Sequence, residues 1–355
     1  MVETVFLSPP PKRYTLNSVQ VLRAFAALSV MAGHLFVELR QSSGAELDVI
    51  GFPWPSGVDI FFVISGFVMI YTNHEAFGEK GAPWAFIRKR LVRIVPLYYL
   101  FTTLMILLVV LMPQVFDTAR YDVGQFVSSY LFWPYERYDG AVRPILSLGW
   151  TLNYEMFFYA LFACALLFPL RLGLAGLVVL MTGLVAARPL FGIDGQPFSF
   201  WFSPIILEFC FGLLIGIAFV KYGKIDLGGW RNALPFLLAP AAFFLFGSAD
   251  ADPWLPNFIA WGVPAAALVF ACVMFLPWER EVAVPRFAVA LGDSSYALYL
   301  AHPFIYNGVL LVLYKSVPSV QAWPWVVFFV CLGATVAGAH LVHLLIEKPM
   351  LNLLR

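Results

Sequence analysis

Long apolar runs, broken by clusters of proline, glycine and charge, divide the chain into segments of bilayer-crossing length. The hydrocarbon core of a membrane is about 30 Å thick and takes roughly 20 apolar residues of helix. Segmentation at the clusters predicts ten spans, at 18–38, 57–73, 93–112, 147–168, 172–189, 201–220, 233–247, 256–277, 288–312 and 323–346. The segment 233–247 is the weakest, being short and holding Pro235 and Pro240, and its loss makes the count odd. No internal repeat or low-complexity tract accompanies the pattern.

Composition raises the pattern to a class. Of 355 residues, 61% are hydrophobic and only 12% charged, with a mean hydropathy of +0.82. A soluble domain runs at about 45–50% apolar and about 25% charged, so the chain is expected to be an all-α integral membrane protein. Twenty-two Lys and Arg against 21 Asp and Glu leave a net charge of +1, with no basic surplus for nucleic acid. The four cysteines, Cys164, Cys210, Cys272 and Cys331, stand singly in apolar runs, without the spacing of a metal site or redox pair; no metal is expected. The first apolar run passes Met31 without a small-residue cleavage pattern, so it reads as a retained membrane helix.

Loop charge orients the spans, because Lys and Arg concentrate on the cytoplasmic side of short loops. With the N-terminus inside, fifteen of the 22 basic residues are cytoplasmic, six lie opposite, and Arg23 falls within the first span. Both termini are therefore expected in the cytoplasm. The expected organisation is a tail at 1–17, one transmembrane domain at 18–346 and a short tail at 347–355. The longest loop, 113–146, is polar and aromatic and is placed outside, where it can cover a site.

Ionisable groups within the spans are the candidates for chemistry, since each costs about 2.5–3.5 kcal/mol to insert. The first span, LNSVQVLRAFAALSVMAGHLFVEL, carries Arg23 toward its inner end and His34 toward its outer end. Eleven residues make three turns plus about 20° and rise roughly 16 Å, so both project from one face at different depths. Snorkelling of Arg23 and a satisfied interhelical bond at His34 are the structural alternatives. A fixed cation inside and a titratable base outside otherwise suit an anionic ligand on one side and proton chemistry on the other.

The second span, GVDIFFVISGFVMIY, places Asp59 near the outer boundary, either beside His34 or as a carboxylate at a helix start. Ser65 and Gly66 fit close helix packing better than nucleophilic attack. The segment FIRKRLVRIVPLYY packs Arg88, Lys89, Arg90 and Arg93 before Pro96. Topogenic charge accounts for part of it, while the spacing of Arg90 and Arg93 puts two guanidinium groups on one helical face, a match for phosphate. The fourth span carries Glu155 on the face of Thr151 among Trp150, Tyr154, Phe157, Phe158 and Tyr159. Glu208, Tyr299, His302 and Glu347 are further membrane or boundary groups whose roles stay open, interhelical hydrogen bonding being sufficient for several of them.

LRAFAALSVMAGH, GVDIFFVISGFVM, FIRKRLVRIVPLYY, GWTLNYEMFFY, SSYALYLAHP and IEKP, taken in order across residues 16–349, resemble the acyltransferase-3 family of bacterial membrane acyltransferases. The resemblance implies a multi-pass protein of the bacterial inner membrane, an acyl-CoA donor, usually acetyl-CoA, and an acceptor hydroxyl on a glycan or lipid-linked saccharide. It places Arg23 and His34 at the family's essential Arg and His, Arg90 and Arg93, with Arg88 beside them, at its inner-face arginines, and Glu155 at the carboxylate after Trp-Thr-Leu. The expectation that follows has acyl-CoA phosphates held by Arg88, Arg90, Arg93 and Arg23. His34 is then the base or the acyl carrier, and Glu155 or Asp59 orients its ring. A transporter or flippase with an Arg/His/Glu relay is the competing class, and the broken, paired half-repeats that mark it are not seen. Oligomeric state is not legible.

Overall fold

Within a bilayer no water satisfies a backbone N–H or C=O, so a spanning segment has to bond its own groups in a helix. The chain follows this rule in the computed structural model, which describes residues 5–6, 16–44, 47, 54–112, 122–227, 257–275 and 286–354. In chain order the helices are α1 (Asn17–Ser43), α2 (Gly57–Asn73), α3 (Ala82–Leu111), α4 (Val123–Tyr130), α5 (Trp150–Ala165) and α6 (Leu170–Phe191). They continue with α7 (Leu207–Tyr222), α8 (Gly262–Phe275), α9 (Arg286–Asp293), α10 (Ser295–Ser316) and α11 (Pro324–Val342). A π turn at His343–Glu347 then leads into α12 (Lys348–Leu354). Two-residue strands, β1 (Val5–Phe6) and β2 (Ile225–Asp226), pair antiparallel.

Among the described residues, eight helical stretches are long and apolar enough to cross a membrane: Asn17–Ser43, Trp54–Ala76, Ala82–Leu111, Leu170–Phe191, Pro204–Tyr222, Asn257–Phe275, Ser295–Ser316 and Pro324–Leu354. The difference from the expected ten has two sources. The segment 233–247 lies outside the described residues. The segment 147–168 forms a helix of only 16 residues, because a 3-10 turn occupies Ser147–Gly149 and Pro169 stands just beyond its end. In addition, α3 begins at Ala82, well ahead of the expected 93, so the basic cluster rides on the helix itself and Pro96 lies in its interior.

The helices sort into two units, one of Met1–Thr72 with Glu208–Leu344 and one of Asn73–Leu207 with Leu345–Arg355. In the first unit α1 packs against α8, α9, α10 and α11. Leu22 and Ala26 share a core with Ile60, Val63, Phe67, Val269 and Cys272. Further along α1, Leu35 and Leu39 pack with Leu310, Val327, Phe328 and Cys331. Helices α2 and α7 meet backbone to backbone: a Cβ on Gly66 would lie 2.1 Å from the Phe209 carbonyl oxygen, and one on Gly212 2.0 Å from that of Val63. Glycine permits this approach, and in lipid such contact is the main attraction between helices.

In the second unit α3 packs against α4, α5 and α12, and α5 against α6. Its interior is aromatic, with Phe86 tilted onto Phe162 and edge-on to Tyr159, and Trp201 stacked on Phe157. Asp122 caps α4, accepting from the Gln125 backbone N–H at 2.8 Å and from the Tyr135 hydroxyl at 2.8 Å. These hydrogen bonds hold its carboxyl below the usual carboxylate range.

Candidate active site

The first unit brings together two histidines that are 268 residues apart in the chain. His34 Nδ1 lies 2.9 Å from His302 Nε2, with the ring centroids 5.1 Å apart and the ring planes 27° from parallel. His302 is wholly buried on α10, whereas His34 is exposed. The other ring nitrogen of His302, Nδ1, lies 3.1 Å from the Leu298 carbonyl one turn earlier. Tyr299 and Tyr306 flank the His302 ring at 6.3 and 6.0 Å. Pro303 supplies no N–H to the Tyr299 carbonyl, which loosens the helix beside His302. Arg23 lies half-buried on the same uninterrupted helix as His34.

Asp59 and Glu208 form a second pair in this unit. Each sits in the first turn of its helix, upstream of the Gly66–Gly212 crossing, and their carboxyls adjoin. Asp59 is 3% exposed and Glu208 is fully buried. Glu208 lies against Gly262, where a Cβ would stand 2.8 Å from its Cγ and 3.0 Å from Oε1, so a residue without a side chain makes room for it. Two carboxyls so placed are stabilised by the N-terminal ends of their helices and repel one another when both are charged.

The second unit holds the arginines. Arg88 and Lys89 are exposed, while Arg90 and Arg93 turn inward. The Arg90 guanidinium lies 5.5 Å from the Phe86 ring centroid and 5.8 Å from that of Tyr159, and its buried Nε has no hydrogen-bond partner among the described residues. Tyr159 in turn donates its hydroxyl to Glu155. Arg93 Nη1 pairs with Glu347 Oε1 at 2.5 Å, the π turn at His343–Glu347 carrying that carboxylate to a position 1% exposed.

The sequence assigns the orienting of His34 to Glu155 or Asp59; the structure sets Asp59 beside Glu208 and gives Glu155 the Tyr159 hydroxyl, while His302 meets the His34 ring. From sequence, His302 was one interhelical polar group among several. Its signal was the following Pro303, and its partner is too distant in the chain for spacing to reveal.

The acyltransferase domain family matches this chain over residues 16–343. The exopolysaccharide production protein ExoZ of Rhizobium meliloti is 32% identical over 300 residues, covering 84% of this chain and 89% of that protein. The acyltransferase MdmB of Streptomyces mycarofaciens is 24% identical over 385 residues, covering 97% and 94%. A putative acetyltransferase, ORF330, of Acidianus two-tailed virus is 26% identical over 319 residues, covering 85% and 88%. No solved structure matches. With a family match across nearly its whole length and, among the described residues, eight helical stretches long and apolar enough to cross a membrane, the chain belongs to the acyltransferase-3 family and is a multi-pass membrane enzyme that transfers acyl groups.

Proposed function

We propose that the protein is an O-acyltransferase of the bacterial inner membrane that moves an acyl group, acetyl in the first instance, from acyl-CoA supplied at the cytoplasmic face to a hydroxyl of an exported or lipid-linked glycan. The observation that carries this reading is His34, an exposed imidazole in a membrane helix, hydrogen-bonded through Nδ1 to a buried histidine. The glycan acceptor rests on the likeness to an exopolysaccharide production protein.

In the reaction the acceptor oxygen bonds to the thioester carbonyl carbon while the carbon–sulfur bond breaks. His34 takes the hydroxyl proton and returns it to the departing thiolate, leaving ester and free CoA. A transient acyl-histidine uses the same ring. Arg90 and Arg93, with Arg88 and Arg23, are assigned to the donor's phosphates, because guanidinium groups bind phosphate bidentately. The pantetheine arm, on the order of 15–20 Å if extended, is comparable with the rise of roughly 16 Å from Arg23 to His34. Glu155, bonded to the tyrosine beneath Arg90, is assigned to holding that arginine.

Membranes from cells expressing the protein, given radiolabelled acetyl-CoA and an exopolysaccharide stripped of its esters by mild alkali, test the proposal. Alkali-labile label on the polysaccharide is expected. Label that never leaves the donor, with the protein present and folded, refutes it.

A further inference from the structure

A carbonyl oxygen only accepts hydrogen bonds, so the contact between His302 Nδ1 and the Leu298 carbonyl fixes a proton on that nitrogen. His302 is wholly buried, and a second proton would place an imidazolium there, at a cost its surroundings do not offset. Its Nε2 is therefore a lone-pair acceptor. The neighbouring His34 Nδ1, 2.9 Å away, has to be the donor, and a neutral imidazole with its proton on Nδ1 carries its basic lone pair on Nε2. A chain of two hydrogen bonds thus sets the tautomer of an exposed ring from a buried backbone carbonyl.

We infer that His302 is the positioning residue of the acyl transfer: it holds His34 in the Nδ1–H tautomer with Nε2 as the proton-accepting atom, and it remains an uncharged acceptor when His34 takes the substrate proton. The inference rests on the assignment of His34 as the base. A carboxylate has this place in a serine-protease triad. Within a membrane, a neutral imidazole performs the same orientation without a buried charge. His302 meets His34 and not the substrate, so its loss acts on turnover and leaves donor affinity alone.

Two measurements test it. First, His302→Phe, which keeps a ring but no acceptor, is compared with His302→Gln, whose side-chain carbonyl reaches the place of Nε2. Both are assayed with labelled acetyl-CoA and de-esterified exopolysaccharide, at matched thermal stability. The expected result is a kcat lower by on the order of 10- to 100-fold in the Phe variant, the loss of one hydrogen bond to a ring that becomes charged. KM for acetyl-CoA should be unchanged, and most of kcat should return in the Gln variant. Equal activity in the Phe variant, or a change confined to KM, overturns it.

Second, nitrogen NMR of the histidine-labelled wild-type protein in lipid reads the tautomers directly and needs no variant to be active. Difference spectra against His34→Gln and His302→Gln assign the signals. Protonated Nδ1 and bare Nε2 on both rings are expected; a proton on Nε2 of either ring overturns it. Wild-type membranes that transfer no label would refute the proposed function, whereas the NMR result judges the hydrogen-bond chain on its own.

Discussion

Replacing Gly66 with alanine probes the crossing of α2 and α7, which brings Asp59 and Glu208 together. The added Cβ would stand 2.1 Å from the Phe209 carbonyl oxygen and 3.0 Å from the Leu213 nitrogen, both backbone atoms that no rotamer change can move. Ordinary contact begins at 3.4 Å, so the helices have to part by about 1.3 Å at this point. Overpacking of this kind costs about 1–3 kcal/mol, and the opened gap forfeits a further part of the dispersion contact. The higher helix propensity of alanine returns about 0.5–1 kcal/mol. A net loss of about 2 kcal/mol corresponds, at about 2–4 °C per kcal/mol, to a melting midpoint lower by about 4–8 °C.

Buried thiols provide the reporter. Cys210, Cys272 and Cys331 are buried and belong to the same unit as the crossing. A thiol-reactive fluorophore in detergent, on a Cys164→Ser background that removes the exposed cysteine, therefore follows this unit's melting. Gly308→Ala and Gly333→Ala are the controls, because a Cβ at either position meets nothing within 4 Å. Gly66→Ala melting with the controls would refute the backbone-to-backbone crossing.

Three other outcomes are expected. Arg93→Ala removes a cation from Glu347, which is 1% exposed, and should cost about 3 kcal/mol, the low end for breaking a buried pair since Arg93 is itself 28% exposed. Adding Glu347→Gln should recover most of that loss in a thermal double-mutant cycle. Glu208→Gln keeps the volume beside Gly262 and a polar group beside Asp59, and should leave the thiol-reported midpoint within a few degrees. Glu208→Ala opens a cavity and should lower that midpoint clearly. At Asp122 the folded carboxyl lies below its unfolded value of about 3.9, so the cap's contribution is present above that value and lost as pH falls through the folded one. Protection factors of residues 123–130, each referred to the intrinsic exchange rate at that pH, should fall as pH drops from about 5 to about 2 in the wild type, and Asp122→Asn, which also caps, should flatten that response.

Local features were legible from the chain alone. Hydropathy located α2 and α6 to within two residues at each end, because helix length in lipid is set by bilayer thickness, whereas the span expected at 288–312 proved to be two helices, α9 and α10. The placement of Arg23 and His34 on one face follows from helical pitch, and α1 is unbroken between them. The close-packing role of Gly66 was also readable, although the partner backbone at Phe209 was not. Long-range pairings escaped for a common reason. His34 with His302 spans 268 positions and Arg93 with Glu347 spans 254, and one sequence carries no measure of which helices become neighbours. The start of α3 was set too late because the charged run Arg88–Arg93 ends the apolar segment, although its spacing already read as helical; α3 begins six residues ahead of that run, at Ala82.

The most direct test is transfer by the purified protein in liposomes, with radiolabelled acetyl-CoA as donor and de-esterified exopolysaccharide as acceptor, comparing the wild type with His34→Gln at matched stability. Acyl transfer through His34 requires alkali-labile label on the polysaccharide with the wild type and turnover lower by about 100-fold or more with His34→Gln, the contribution of a positioned general base. Equal labelling by the two proteins would contradict it.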